Sequence, residues 1–136
     1  MPTDDSQPPR ALSRREREIL DFLLAVEGQG VEELRRQGRE VLARPWGCGC
    51  ASIHLVVDHA SAPASSIRTS PAIETTTKER DDPEKVFTLL VWMNDGFLSG
   101  IEIVDYGEAH GEHSGVFPPT TDFELPRLRS APATVQ

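Results

Sequence analysis

No stretch of this 136-residue chain approaches the roughly 20 consecutive apolar residues that a membrane span needs. The opening MPTDDSQPPR has neither the basic start nor the apolar centre of a signal peptide, so a cytoplasmic location is the expectation. No glycine-rich turn leads into a helix to cradle phosphate, and no nucleophile stands in a recognisable elbow. An enzyme is therefore not expected. No internal repeat marks a solenoid. Aromatics are few, 6% beside 38% hydrophobic and 26% charged residues, and 15.0 kDa suffices for one domain of ordinary size.

Excess positive charge is also lacking. Fourteen basic residues face 22 acidic ones, a formal net charge of −8. Residues 1–46 hold eight arginines against nine acids, and the remaining chain holds six basic residues against thirteen acids. An acidic body repels phosphate backbones and anionic membranes and favours basic partners. The charge thus argues against nucleic-acid and membrane partners.

The periodicity predicts an α+β fold. Residues 1–11, acidic and proline-rich, read as a disordered lead-in. Ser13 and Glu16 form a capping box for a helix whose buried face carries Ile19, Phe22, Leu23 and Val26. A second helix starts near Val31, puts Val31, Leu34 and Val41 on one stripe, and stops at or before Arg44 because of Pro45. Gly38 lies near that stripe, where it lets the helices approach. The period then changes to two. Ile53, Leu55 and Val57 alternate with polar residues, Ala72–Lys78 follows as a second strand, and Lys85–Met93 and Phe97–Tyr106 make a hairpin around Asn94-Asp95-Gly96. The expectation is an N-terminal αα-hairpin on a four-stranded antiparallel sheet, one domain over 12–125, with 126–136 as a disordered tail.

The hairpin register decides its faces. A three-residue turn pairs Met93 with Phe97 and places Phe87, Leu89, Val91, Met93, Phe97, Ile101 and Ile103 together, which a two-residue turn does not. On that ground the three-residue turn is expected. The opposite face then carries Leu90, Trp92, Leu98, Glu102 and Tyr106, too apolar for plain solvent surface. These five are the candidate interaction residues, for a protein partner or a second copy.

Two motifs point elsewhere. Cys48-Gly49-Cys50 offers two thiols, with His54, His59, His110 and His113 as further zinc donors. On one strand Cys50 and His54 would stand about 13 Å apart, at roughly 3.3 Å per residue, so they cannot share an ion. Cys48, Cys50, His110 and His113 remain as a zinc set, and zinc as the candidate cofactor. A disulfide between the cysteines would close a tight ring and is not expected in a cytosolic protein. The simplest account makes them small apolar groups in a turn.

The segment LSRREREILDFLLAVEG resembles the opening of the LuxR-type helix-turn-helix at Leu12, Ser13, Arg15–Glu18, Leu20 and Leu23. That resemblance implies a DNA-binding regulator, but PWGCGC and a strand stand where the recognition helix belongs. Over most of 12–119, the order of LSRREREILDFLL, GCGC and NDGFLSGIEIVDYG is similar to a small uncharacterised family of actinobacterial proteins. It implies a fold and a source, without an activity. The leading functional expectation is a small acidic interaction module of the immunity-protein kind. A zinc-binding domain comes second and a DNA-binding regulator third.

Overall fold

The computed structural model describes residues 8–46, 50–82, 85–105 and 116–129. Two helices, α1 (Arg14–Leu23) and α2 (Val31–Arg39), accompany seven strands. These are β1 (Arg10–Ala11), β2 (Leu42–Pro45), β3 (Ile53–Val56), β4 (Ile73–Thr76), β5 (Phe87–Asn94), β6 (Phe97–Asp105) and β7 (Arg127–Leu128). All neighbours pair antiparallel in one sheet of order β1-β2-β3-β6-β5-β4-β7. The class is α+β as expected, but the sheet has seven strands and not four.

The three additional strands have separate causes. Strands β1 and β7 contribute two residues each, too few for alternation to register, and lie in the stretches 1–11 and 126–136. Strand β2 lies where the helical stripe was extended to Val41. The helix instead ends at Arg39, and Leu42–Pro45 runs along Ile53–Val56 with Ala43 fully buried. Pro45, expected to end a helix, ends a strand, beyond the stretch that β1 pairs.

Helix α1 begins as its sequence dictates. The Ser13 hydroxyl accepts the Glu16 N–H while the Glu16 carboxylate accepts the Ser13 N–H. Each helix then caps the other. Arg35 of α2 donates to the carbonyls of Leu24 and Val26 just past α1, at 2.7 Å each. Arg17 of α1 donates to the Gly38 carbonyl at 2.6 Å. These guanidiniums satisfy C-terminal carbonyls that a helix leaves unpaired. Gly38 is buried, and a Cβ there would stand 3.2 Å from Leu24 Cδ1 and 3.6 Å from Leu20 Cδ2. It sits at the helix contact that its sequence position implied.

One core cluster joins Ile19, Leu20, Leu23, Leu24 and Leu34 of the helical region to one face of the sheet. That face supplies Ala43, Ile53, Leu55, Ile73, Leu89, Val91, Ile101 and Ile103. Phe117 and Phe123, from the segment after β6, also enter it. Helix α2 lies against β6, and α1 against β4 and a short 3-10 turn at Thr120–Asp122. Beyond that turn Thr77 bridges to Phe123, extending the β4 edge.

The hairpin turn differs from the expectation. Asn94 pairs with Phe97, leaving a two-residue turn in which Asp95 (φ 52°) and Gly96 (φ 87°) both adopt the left-handed conformation. Met93 pairs with Leu98 and Trp92 with Gly100, so Ser99 is an extra residue that bulges from β6. The bulge restores by another route most of what the three-residue turn was meant to supply, but Phe97, expected on the core face, pairs with Asn94 and stacks on His59 outside the core cluster. Leu89, Val91, Ile101 and Ile103 share the buried face. Leu98, on the turn side of the bulge, moves to the core with 3% of its surface exposed.

Candidate functional site

The other face of the sheet carries Leu90 and Trp92 on β5, Glu102 and Val104 on β6, and His54 and Val56 on β3. All six are half-buried, and each alternates with a buried neighbour on its strand. Among the described residues, neither helix packs across this face. Three of the five expected interaction residues, Leu90, Trp92 and Glu102, meet here. Leu98 does not: it is buried, and its N–H donates to Gln37 Oε1 at 2.8 Å. Its reassignment follows from the Ser99 bulge, which shifts side-chain parity between Leu98 and Gly100. Tyr106 lies outside the described residues.

Trp92 is held in place. Its indole N–H donates to Glu102 Oε1 at 2.9 Å, reaching diagonally past Gly100, its direct partner on β6. Gly100 offers no side chain, and its missing Cβ would lie 4.0 Å from Trp92 Cβ. The carboxylate in an otherwise apolar strand is thus explained by an indole partner and not by the lysine or arginine a sequence would suggest. The adjacent row joins Glu102 to Leu90 and Leu90 to Glu74, and Glu74 is bridged by Arg127 at 3.0 Å.

A second tryptophan belongs to this region. Trp46 follows β2, and its ring lies 5.8 Å from that of His54, tilted by 37°. Its indole N–H is buried and has no acceptor among the described residues. Sequence reasoning passed over Trp46 because it was taken as part of a turn. The signal that could have found it is parity: Trp46 continues the Leu42, Arg44 series of β2 by steps of two.

Gln37 is another residue that sequence reasoning missed. It is 2% exposed, and its Nε2 donates to the carbonyls of Pro63 and Gly96 while Oε1 accepts from Leu98. One amide thereby ties α2 to the hairpin turn and to the 60–65 loop. It falls on the Val31, Leu34 stripe at the next step of three, a polar residue where the pattern asks for an apolar one.

The metal expectation fares differently at each residue. Cys48, His110 and His113 lie outside the described residues. Cys50 is disulfide-bonded, so its sulfur is no thiolate ligand in this state. A disulfide was not expected of the two cysteines, and the bond at Cys50 overturns that expectation. Among the described residues no three His, Cys, Asp or Glu side chains gather to hold a metal ion. His59 stacks on Phe97, with ring centroids 3.7 Å apart and planes 7° from parallel.

Among the described residues, the ion pair with the most enclosed carboxylate belongs to the helix side. Arg10 of β1 grips Glu16 through two nitrogens, at 2.7 and 2.9 Å. Burial pushes the Glu16 carboxyl up, but hydrogen bonds from Arg10 and Ser13 outweigh it and hold the group below its ordinary value. This pair fastens β1 to α1. A cleft of about 490 Å3 lies between Thr77, Phe87 and Thr121, with Lys78 and Lys85 balanced by Glu79 and Asp122. Its charges cancel.

Strands β2 and β3 follow α2 in the chain. No helix among the described residues is long and apolar enough to cross a membrane. Comparison with protein-family models, with curated proteins and with solved structures yields no match.

Proposed function

We propose that the protein is a small acidic binding module, in the manner of immunity proteins, that engages a basic protein partner through the open face of its sheet. The observation that carries this reading is the placement of both tryptophans of the chain beside that face. Tryptophan is enriched where interfaces concentrate their binding energy, and a pre-ordered ring loses little entropy on association. The Trp92–Glu102 hydrogen bond orders one ring before any partner arrives. The net charge of −8 supplies long-range attraction for a basic partner.

The test compares the wild-type chain with Trp92→Glu in affinity capture from the native host, followed by binding of the captured protein at two salt concentrations. A basic partner retained by the wild type and lost by the variant, with weaker binding at high salt, is the expected result. The variant must keep its circular dichroism spectrum and a cooperative melt. Equal capture by both proteins would remove the open face from the reading. Unfolding of Trp92→Glu would make Trp92 a core residue.

A further inference from the structure

We propose, resting on the reading of the open face as an interaction surface, that Glu102 and Trp92 form a site for the guanidinium of one arginine of a basic protein partner. Glu102 is half-buried, and its Oε1 accepts the Trp92 indole N–H at 2.9 Å. An indole N–H needs one acceptor, which a neutral amide would supply as well, so the charge of the carboxylate is surplus to this bond. Among the described residues no lysine or arginine pairs with Glu102, and its Oε2 accepts no hydrogen bond. Glu74, in the same row beyond Leu90, differs: Arg127 Nη2 stands 3.0 Å from it and Arg129 Nε 3.8 Å. Of these two carboxylates, Glu102 is the one without a cation.

The strands leave room beside that carboxylate. Gly100 pairs with Trp92 on β5 and with His54 on β3, and it raises no side chain between them. Neighbouring strands stand about 4.8 Å apart, so the strands carrying the indole and the imidazole are separated by roughly 10 Å. That gap admits one flat cation laid along the indole above Gly100. Leu90 and Val104, half-buried on the same face, give the site an apolar border, and a charge contact is stronger where water is partly excluded.

Arginine suits this setting better than lysine. Its guanidinium is planar, weakly hydrated and donates in a fixed fork, so one edge can meet Oε2 while its face lies on the indole. An ammonium is a compact, strongly hydrated point charge and loses more on leaving water. A hydrogen bond from a cation to a carboxylate is roughly twice as strong as a neutral one, which makes this contact an anchor in a largely apolar surface. The formal net charge of −8 attracts such a partner from a distance.

The probe is N-acetyl-arginine amide, titrated into the millimolar range against the isotope-labelled full-length chain and followed by nuclear magnetic resonance. The Trp92 indole N–H signal, identified by its loss in Trp92→Phe, should shift saturably. The citrulline analogue, neutral and of the same shape, and the lysine analogue should both fall short of that response. Glu102→Gln keeps an acceptor for the indole, so its fold and indole signal should survive while the response to arginine is lost. Should that variant fail to fold, the comparison of arginine with citrulline on the wild type decides alone. No saturable shift, an equal shift with citrulline or lysine, or an undiminished response in folded Glu102→Gln would each overturn the proposal. A silent titration beside partner capture that depends on Trp92 would sink this site and leave the interaction reading standing. Saturable arginine binding without any captured partner would fault that reading instead.

Discussion

The two faces of the sheet are built from the same strands by alternation, yet they are held by different means. On the helix side, Leu89, Val91 and Ile101 are fully buried, and the buried Gln37 makes three hydrogen bonds. On the other side, Leu90, Trp92 and Val104 are half-buried, and polar pairs run across the strands there: Trp92 with Glu102, Glu74 with Arg127 and Thr76 with Thr88. The first face gains its stability from close packing, where any lost volume is felt. The second keeps apolar surface at the boundary with water, where substitution costs the fold less. The difference separates residues packed in the core from residues left at its margin.

Substitutions on each side sharpen or break this contrast. The largest expected effect is Ile101→Ala, a loss of about 3–4 kcal/mol in denaturant unfolding, because the cavity opens in the packed face. Next comes Gly38→Leu. A side chain there must displace Leu24, at a cost of about 1–3 kcal/mol, offset by up to about 1 kcal/mol of improved helix propensity. A raised melting temperature would show that the helix contact yields freely. Trp92→Phe should cost about 1 kcal/mol or less, since a ring remains over Gly100 and only the bond to Glu102 is lost. If Trp92→Phe destabilised as much as Ile101→Ala, the two faces would not differ in kind.

The smallest effect concerns pH. The carboxyl of Glu16 is held below its ordinary value of 4.5 in the folded chain, so the unfolded chain takes up a proton first as pH falls. The stability it contributes is fully present above that ordinary value and is lost as pH falls through the lower folded one. Glu16→Gln keeps the capping geometry while removing the titration. A urea-unfolding series from neutral to acidic pH should therefore be flatter for the variant, and identical slopes would discount the Arg10–Glu16 pair.

How much of this was legible follows the same physics. Capping boxes and alternation are local, so α1, β3, β4 and the paired arms of β5 and β6 could be read directly from residue spacing. The buried set Leu89, Val91, Ile101 and Ile103 was legible too, even with the wrong turn, because burial fixes parity whichever device achieves it. The Ser99 bulge was not, since serine suits either face, and Leu98 was misplaced with it. Strand β2 was lost to a coincidence: Val41 continues a helical stripe and equally precedes a strand. The tie between Trp92 and Glu102 needed knowledge of which residue lies diagonally across, which register alone supplies. The five interaction candidates thus divide into three that share a face, one that the bulge carries into the core, and one beyond the described residues.

The terminal strands carry a consequence of their own. At each border of the sheet the last strand contributes only two residues, Arg10–Ala11 on one side and Arg127–Leu128 on the other. Pro8 and Pro9 precede the first, Pro126 precedes the second, and Pro45 ends the strand beneath the first. Proline has no N–H to offer a newcomer, and a two-residue strand presents almost no template for one. The sheet is therefore closed to growth in its own plane. Fibril-like stacking through its borders is disfavoured by construction, and a concentrated, acidic chain of this kind can leave apolar surface on one face without inviting runaway polymerisation.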